Sequence, residues 1–414
     1  MRAAIVYVSV VLLCASGAFG GVISYLPITN DADSGISLTK VYTHTLDLGV
    51  GDGGAIVNGV HFTRVDTANV DAIPNFAYTV YTGGRYANPH YIGYNVSGDV
   101  EKLFGDFMFN GNNAPGGVAT LTLSGLSVGT TYDTRIYTRA AGGPRVAQID
   151  FENDGAPGAD DSVTLDQGDA LANPPGLDTI NRAYALSYQF TAQSDQLTVS
   201  FTQAVFNWSW HQYGVTNEVV GVERITTLFN TGVDENGLVL APGTPDPHYE
   251  LVGTRPATVA KNHPNYIGND PVAAEGSSWI GPVADLHADV APGNYVYATS
   301  FDLSGLDPDS AEVSIRVAVD NILQDVLLNG ASTGIGVADG GFGGLSEPLV
   351  LDSGFQPGIN TLEFVAVNND GGPNPHGFRA ELSGTASVPE PSTFVLALAG
   401  LFVLVLLGRR KPAA

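Results

Sequence analysis

The sequence has little cysteine and little positive charge. Its 414 residues include one cysteine, Cys14, and 17 lysines and arginines against 42 acidic residues, for a formal charge of −25. A single cysteine excludes an intramolecular disulfide and a zinc site built on several thiolates. The shortage of cations argues against a nucleic-acid partner, because such partners require a basic face. Charged residues make up only 14% of the chain, which is untypical of helical bundles and coiled coils.

Glycine and apolar residues are abundant, with 51 glycines and 44% hydrophobic residues. Short segments alternate between apolar and polar positions, and Gly, Pro, Asn and Asp interrupt them at short intervals. Within residues 311–321, Val313 and Ile315 alternate with Ser314 and Arg316, the period of two that is typical of a strand. The sequence therefore predicts strands joined by turns.

The predicted fold class is all-β, with two β-sandwich domains of jelly-roll type. The first spans residues 21–224 and the second residues 225–386. Residues 217–225 (NEVVGVERI) are typical of a closing strand, and a turn-rich segment follows them. The string LSGL occurs at 123–126 and again at 303–306, each time before a predicted strand, which is a weak internal repeat.

Residues 125–137 (GLSVGTTYDTRIY) resemble the corner of fibronectin type III-like sandwiches. In that corner a tyrosine hydroxyl hydrogen-bonds to the backbone a few residues upstream, and Tyr132 would take this role. The first domain is about twice the usual length of that fold. A larger jelly-roll-like sandwich is therefore the preferred prediction, and the fibronectin-like sandwich is the alternative.

The first 20 residues have the pattern of a secretory signal peptide. Arg2 supplies the positive charge, residues 5–15 supply the apolar stretch, and Ala18 and Gly20 are the small residues that precede a cleavage site. Cys14 lies inside this segment, so the mature chain would carry no cysteine. We expect the protein to be exported.

The other end combines a polar motif, an apolar run and a cationic terminus. Residues 388–393 read VPEPST, residues 394–407 are apolar, and Arg409, Arg410 and Lys411 follow. The run is shorter than the ~20 residues that usually span a bilayer. It is continuously apolar and ends in cations, which favours a membrane helix with a cationic stop. We predict a single hydrophobic helix here.

These three features, in this order, resemble the PEP-CTERM sorting signal of Gram-negative, biofilm-forming bacteria. The resemblance covers residues 387–414, with Pro389, Glu390 and Pro391 as the sorting motif. It implies transient anchoring in the inner membrane and removal of the tail by an exosortase-type processing enzyme. Delivery to the cell surface or the extracellular matrix would follow, as for other tail signals that are cut off.

The two domains also resemble known modules. Residues 30–48, with VNGVHF after them, resemble the opening of modules in exported planctomycete-type proteins. The second domain contains LFNTGVDENG, DPHYELV, SWIGP, RVAVDN and NTLEFVAVNN, and it resembles a galactose-binding-like jelly roll of the kind found beside carbohydrate-active enzymes and in surface proteins. The resemblance implies the fold more than the ligand.

The sequence favours a non-catalytic protein. It has no HExxH motif or P-loop, and no GxSxG elbow or dinucleotide-binding glycine pattern is placed between a strand and a helix. We expect a surface or matrix protein that binds polysaccharide. Two alternatives stay open. One is an extracellular glycan-active enzyme, whose paired carboxylates cannot be singled out among 42 acidic residues. The other is a purely structural matrix protein.

Aromatic residues supply the candidate ligand site. Trp208 and Trp210 would share one face of a strand, and two exposed rings form a platform for sugar rings. The alternative is that these rings fill a core. A carboxylate and an imidazole in residues 246–248 would face a hydroxylated ligand or, alternatively, form a turn. The candidate ligand-binding residues are Trp208, Trp210, Tyr213, Trp279, Asp246 and His248.

Calcium, as a structural ion, is the expected cofactor. Turns rich in Asp and Asn supply the oxygen ligands that this cation prefers. None of the candidate turns has the full EF-hand spacing, so plain turns without an ion are the alternative. The candidate ligands are Asp234, Asn236, Asp320, Asn321 and Asp370.

Overall fold

The structure is a computed structural model. It describes residues 20–50, 53–80, 84–89, 96–110, 115–139, 145–167, 183–204, 209–253, 255–260, 263, 265–267, 276–338, 341–369 and 371–389. The chain divides into two compact units, Met1–Val220 (unit 1) and Gly221–Ala414 (unit 2). The boundary predicted after Arg224 lies four residues past Val220.

The described part of the chain is all-β, as predicted. Its one α-helix is Val100–Leu103, and the short 3-10 helices are Asp31–Asp33, Val70–Ala72, Pro308–Ser310 and Gly341–Gly343. No helix among these residues is long and apolar enough to cross a membrane. The predicted signal peptide (up to residue 19) and the predicted hydrophobic helix lie outside the described residues, as do Glu390, Pro391, Arg409, Arg410 and Lys411.

Most strands of unit 1 form two facing sheets, and the others form a three-stranded sheet (β15-β8-β7) and a two-stranded one (β3-β4). Of the two facing sheets, one has the order β1-β13-β10-β16-β2-β5, and the other has the order β12-β11-β14-β9-β6. Apolar side chains of both sheets, such as Ile136 and Leu186 of the first and Ile149 and Leu197 of the second, form one core between them. The strands are β1 (Val22–Ile28), β2 (Lys40–Leu48), β3 (Ile56–Val57), β4 (Val60–His61), β5 (Thr63–Val65), β6 (Phe76–Val80), β7 (Arg85–Pro89), β8 (Asp106–Asn110), β9 (Val118–Ser124), β10 (Thr131–Arg139), β11 (Val146–Glu152), β12 (Asp161–Asp166), β13 (Ala183–Thr191), β14 (Gln196–Gln203), β15 (His211–Gln212) and β16 (Gly214–Arg224).

Unit 2 is also built from strands around one apolar core. The alternation predicted for residues 311–321 is confirmed, because Val313, Ile315, Val317 and Val319 are all buried in this core. They face Phe364 and its neighbours on another part of the same hydrogen-bonded sheet. The strands are β17 (Pro245–Leu251), β18 (Arg255–Val259), β19 (Ile280–Gly281), β20 (Gly293–Asp302), β21 (Glu312–Asp320), β22 (Ile322–Leu328), β23 (Ala331–Ser332), β24 (Leu349–Leu351), β25 (Ile359–Asn368) and β26 (Gly377–Ser387).

Seven strands of each unit pair in the same pattern. In unit 1 the ladders join β9-β14-β11-β12 and β13-β10-β16, and in unit 2 they join β20-β25-β22-β23 and β24-β21-β26. Taken in chain order, each strand of one set corresponds to a strand of the other. The LSGL strings lie in the corresponding links β9–β10 and β20–β21, where Gly125 and Gly305 have φ of +76° and +84°. The two units therefore share a topology.

The predicted tyrosine corner is confirmed in the first of these links. Tyr132 is buried in the unit 1 core, and its hydroxyl accepts a hydrogen bond from the Ser127 N–H at 2.9 Å. The loop that precedes β10 is thus fixed to the ring of the strand's second residue. This contact is local in sequence, which explains why the motif was recognisable without the fold.

A charged cluster lies on β10 and its neighbours. Arg135 and Asp133 alternate with the core residues Tyr132 and Ile136, so they point away from the core. Nη2 of Arg135 lies 2.6 Å from Oδ2 of Asp133 and 3.2 Å from Oε1 of Glu218, and Nη1 donates to the Gly35 carbonyl at 2.8 Å.

Lys40 and Ser187 complete this cluster. Nζ of Lys40 contacts the Glu218 carboxylate at 2.7 Å, and the Ser187 hydroxyl donates to Asp133 at 2.6 Å. We call Lys40, Asp133, Arg135, Ser187 and Glu218 the Arg135 network. It ties β2, β10, β13 and β16 together by side chains as well as by backbone.

Candidate functional site

A three-stranded sheet in unit 1, in the order β7-β8-β15, carries a row of aromatic side chains on one face. The register places Tyr86 of β7 opposite Phe109 of β8, and Phe109 opposite His211 of β15. Phe107 points to the same face as Phe109, because side chains alternate along a strand. We call Tyr86, Phe109, His211 and Phe107 the aromatic row.

The rings of the aromatic row contact one another from the surface inward. The centroids of Tyr86 and Phe109 are 5.4 Å apart with 30° between the planes, and His211 stacks on Phe107 at 3.6 Å and 15°. Tyr86 is 50% exposed, Phe109 is half-buried, and His211 and Phe107 are buried. The row thus reaches the surface as one open ring supported by a second ring.

Hydrogen bonds hold the buried end of the row. The His211 N–H donates to Oε1 of Gln167 at 2.9 Å, and Nε2 of Gln167 donates to the His211 carbonyl at 2.7 Å. On the opposite face of the sheet, Met108 packs into the unit 1 core. Tyr86 therefore stands on a fixed support, which reduces the entropy lost when a ligand binds.

Polar groups and a glycine accompany Tyr86 at the start of β7. Its neighbour Arg85 donates to both carboxylate oxygens of Asp71, at 2.6 and 2.9 Å, and this hydrogen bonding holds the pKa of Asp71 below its usual value. A Cβ on Gly84 would lie 2.9 Å from Cε2 of Tyr86, so glycine leaves room for the ring. An open aromatic ring with fixed polar neighbours suits a ligand that has both apolar faces and hydroxyl groups.

The predicted aromatic platform is wrong for the residues that the structure describes. Trp210 is 5% exposed and packs against Phe201 in the unit 1 core, and Tyr213 is fully buried. Trp279 is fully buried, and its Nε1 donates to the Ile267 carbonyl at 2.9 Å. These rings fill cores, as in the alternative interpretation. Trp208 lies outside the described residues.

Asp246 and His248 form a local turn at the start of β17. The buried Asp246 carboxylate accepts hydrogen bonds from the N–H groups of Gly232, His248 and Tyr249, at 2.6, 2.8 and 3.1 Å. Burial raises the pKa of Asp246, and these hydrogen bonds oppose that rise. The His248 ring stacks on Phe229 at 3.6 Å. The carboxylate is therefore engaged by backbone instead of facing a ligand.

The candidate calcium ligands lie in separate turns. Oδ1 of Asp234 accepts from the N–H groups of Asn236, which is exposed, and of Leu238. Oδ1 of Asp320 accepts from the Asn321 side chain at 2.6 Å. Among the described residues, no three His, Asp or Glu side chains are grouped to hold a metal ion. Asp370 lies outside those residues, and structural calcium stays a prediction.

The enzyme alternative requires two carboxylates that face a cleft. Asp47 and Asp106 are two buried carboxylates that repel each other in unit 1. Burial, and next the charge of Asp106, raises the pKa of Asp47 to about 7. Oδ2 of Asp47 accepts from the Ala55 N–H at 2.8 Å, and a Cβ on Gly49 would lie only 2.3 Å from Cγ of Asp106. The backbone encloses this pair, so it does not support catalysis on a polymer.

Two serines flanked by glycines also have catalytic spacing. Residues 125–129 (GLSVG) and 330–334 (GASTG) match the spacing of a nucleophile elbow. Ser127 lies in the turn between β9 and β10, where its N–H donates to the Tyr132 hydroxyl. Ser332 lies in the short strand β23 instead of between a strand and a helix, and its hydroxyl accepts from the Gly334 N–H at 3.3 Å. The hairpin explains this string without catalysis.

Sequence reasoning missed Tyr86 and Phe109. It searched for tryptophan pairs near in sequence, whereas these two rings are 23 residues apart and meet only through the register of β7 and β8. The available signal was the alternation of Phe107, Met108 and Phe109, which places two aromatic rings on one face of a strand. This alternation identifies Phe107 and Phe109 as part of one aromatic face, but it does not identify Tyr86 as the exposed ring.

Comparisons with known proteins identify no family. No family model and no curated protein matches the chain. Among solved structures, the chain is similar to an Arthrobacter globiformis T6 isomalto-dextranase complexed with panose, with 10% identity, TM-score 0.22, and coverage of 72% of this chain and 40% of that one. The chain is also similar to a Paenibacillus xanthan lyase, with 13% identity and a TM-score of 0.23, over 74% of this chain and 25% of the lyase. A third similar structure is a Listeria monocytogenes cycloalternan-forming enzyme in complex with a pentasaccharide substrate. Its identity is 12% and its TM-score 0.21, over 90% of this chain and 29% of the enzyme. The chain spans less than half the length of these proteins, and likenesses this slight carry no argument about its function.

Proposed function

We propose that this chain is an exported, non-catalytic surface or matrix protein that binds polysaccharide through the exposed end of its aromatic row. The observation that carries the proposal is the half-exposed Tyr86 ring, stacked on Phe109 and fixed by a sheet whose other face is buried. Pyranose rings present apolar C–H faces, and an aromatic ring offers them a large, rigid contact surface at low entropic cost.

The net charge narrows the class of polysaccharide. The chain carries −25 at neutral pH, so it repels polyanions at low ionic strength. A neutral hexose polymer meets the Tyr86 ring without this penalty. The bound class in our proposal is therefore a neutral polysaccharide.

Export and sorting belong to the same proposal. The signal-like first 20 residues would direct export, and the VPEPST motif with its apolar run would hold the chain in the inner membrane until an exosortase-type enzyme removes the tail. The last strand supports this order of events, because β26 ends at Ser387, two residues before Pro389. Cleavage near the motif would leave every strand of the described residues intact.

Substitution of Tyr86 tests the binding proposal. In the chain from Gly21 to Ala414, held in detergent so that the apolar tail stays soluble, Tyr86→Ala should lower the affinity for a neutral polysaccharide about two- to tenfold. Stacking on an aromatic ring contributes roughly 0.5–1.5 kcal/mol, and ~1.4 kcal/mol is a factor of ten. Affinity electrophoresis in gels cast with neutral or anionic polysaccharides, followed by calorimetry, measures the change.

Two control variants separate stacking from general damage. Tyr86→Phe keeps the ring and should bind as the unaltered chain does, and Leu238→Ala removes an exposed apolar side chain of unit 2 and should have no effect. The proposal is wrong if no neutral polysaccharide retards the unaltered chain, or if Tyr86→Ala binds as tightly as Tyr86→Phe.

A further inference from the structure

The start of the first strand lies against a carboxylate. Gly21 precedes β1, and its backbone nitrogen is 2.6 Å from Oδ2 of Asp161, the first residue of β12. The same oxygen accepts a hydrogen bond from the hydroxyl of the buried Tyr188 at 2.9 Å. Asp161 therefore gathers two donors at the point where the ordered sheet begins.

The position of Gly21 is fixed on both sides. From Val22 to Ile28, β1 pairs residue by residue with β13. A Cβ on Gly21 would lie 2.3 Å from Cε2 of Tyr188 and 2.7 Å from the Gln189 carbonyl oxygen, so only glycine fits at this approach. Gly20, by contrast, is exposed. The sheet thus holds the Gly21 nitrogen at Asp161, while the preceding residue points into solvent.

We infer that Gly21 is the mature N-terminus and that Asp161 is the receptor for its α-ammonium group. The inference rests on the proposed export, and it adds a role for the cleavage in folding. Hydrolysis of the Gly20–Gly21 peptide bond consumes one water: its oxygen leaves with Gly20 as part of a carboxylate, and the Gly21 nitrogen takes both hydrogens and becomes an ammonium group. The neutral N–H donor to Asp161 becomes a charged one, held by the same strand pairing.

The charge on this donor changes the strength of the contact. The Asp161 carboxylate is already a charged acceptor, and cleavage places a positive charge on the donor beside it, so a Coulomb attraction is added to the existing hydrogen bond. Before cleavage Asp161 accepts from two neutral donors, the Gly21 N–H and the Tyr188 hydroxyl. After cleavage it forms an ion pair that ties β1 to β12, the edge strand of the other sheet of unit 1. Processing thereby locks the first strand in place.

Two chains that differ by one residue test the receptor. The chain from Gly21 to Ala414 and the chain from Gly20 to Ala414 are released from a fusion protein and unfolded by denaturant in detergent at pH 7. The Gly21 chain should have a ratio of folded to unfolded unit 1 about five- to tenfold higher, because its ammonium lies at Asp161 and not in solvent. In Asp161→Asn versions this difference should vanish.

Mapping of the exported protein tests the cleavage site. Edman sequencing of the full-length chain secreted by a Gram-negative host should begin at Gly21. The inference is overturned if the secreted protein begins elsewhere, if the two chains unfold alike, or if their difference persists in Asp161→Asn. Neither the unfolding measurement nor the Edman sequencing depends on polysaccharide binding. A failure of the Tyr86 proposal can therefore be distinguished from a failure of the Asp161 inference.

Discussion

Replacing Arg135 by methionine should lower the free energy of unfolding of unit 1 by about 3–5 kcal/mol. Removing one partner of a buried ion pair leaves the other charges without compensation, and losses of this size are typical. Here two carboxylates, Asp133 and Glu218, would lose the guanidinium that lies 2.6 and 3.2 Å from them. Lys40 would remain on Glu218 alone, and Asp133 would keep only the Ser187 hydroxyl.

Arg316 is the matched control for this measurement. Its side chain is 46% exposed and lies 3.6 Å from the Glu381 carboxylate, so Arg316→Met removes an ion pair that water screens. Exposed pairs of this kind contribute about 0–1 kcal/mol. Denaturant unfolding followed by circular dichroism should show a large loss for Arg135→Met and a small one for Arg316→Met. Similar losses for the two variants would contradict the role given to the Arg135 network.

Replacing Asp47 by asparagine should stabilise unit 1 at pH 8 by up to about 4 kcal/mol. Burial and Asp106 raise the pKa of Asp47 to about 7, well above the ordinary 3.8. The contribution of such a group to stability is fully present below about pH 4 and is lost as the pH rises through 7, because the folded protein must then ionise a buried carboxyl group. Each unit of pKa corresponds to ~1.36 kcal/mol. An asparagine oxygen can still accept from the Ala55 N–H.

The pH profile distinguishes this cause from improved packing. The gain from Asp47→Asn should be largest at pH 8 and should shrink towards pH 4, whereas Asp195→Asn at an exposed site should change little at either pH. A gain that is equal at both pH values would refute the electrostatic explanation.

Unit 2 should respond to pH in the opposite direction. Burial lowers the pKa of His376 to about 4, so the neutral ring stabilises unit 2 above about pH 6.5 and this contribution is lost as the pH falls towards 4. The expected loss is roughly 3 kcal/mol. Calorimetry at pH 4.5 and 8 should show it, and His376→Gln should remove it. A unit 2 transition that does not move between the two pH values would contradict this assignment.

Local patterns in the sequence predicted those features that depend on neighbours in the chain. The alternation around Val313 identified a buried strand face, and the spacing of residues 125–137 identified the corner in which Tyr132 binds the Ser127 N–H. Both depend on contacts within a few residues. The all-β fold was predicted from the same alternation of apolar and polar residues along short segments.

The candidate site depends on contacts that no local pattern records. A period of two places Trp210 on one face of a strand, but it does not say whether that face is the core or the solvent. Trp279 is satisfied by the carbonyl of Ile267, twelve residues earlier, which only the folded loop brings near. The open ring of Tyr86 likewise depends on the place of β7 at the edge of its three-stranded sheet. These are properties of register and packing, which are decided at a distance in sequence.

The entry and exit of unit 2 are neighbours in one short ladder. Val222, Glu223 and Arg224 pair with Ser387, Ala386 and Thr385, and the Val388 N–H donates to the Gly221 carbonyl. A pull between a tail held in a membrane and a unit 1 held by a polymer would therefore peel these pairs one at a time, because both ends are loaded at the same side. Thr385 also pairs with Glu312, the first of the nine pairs of β21 and β26, so two residues of each strand, at ~3.3 Å per residue, release about 13 Å of length before tension reaches that ladder. The end of this ladder would therefore open before the core of unit 2 is loaded.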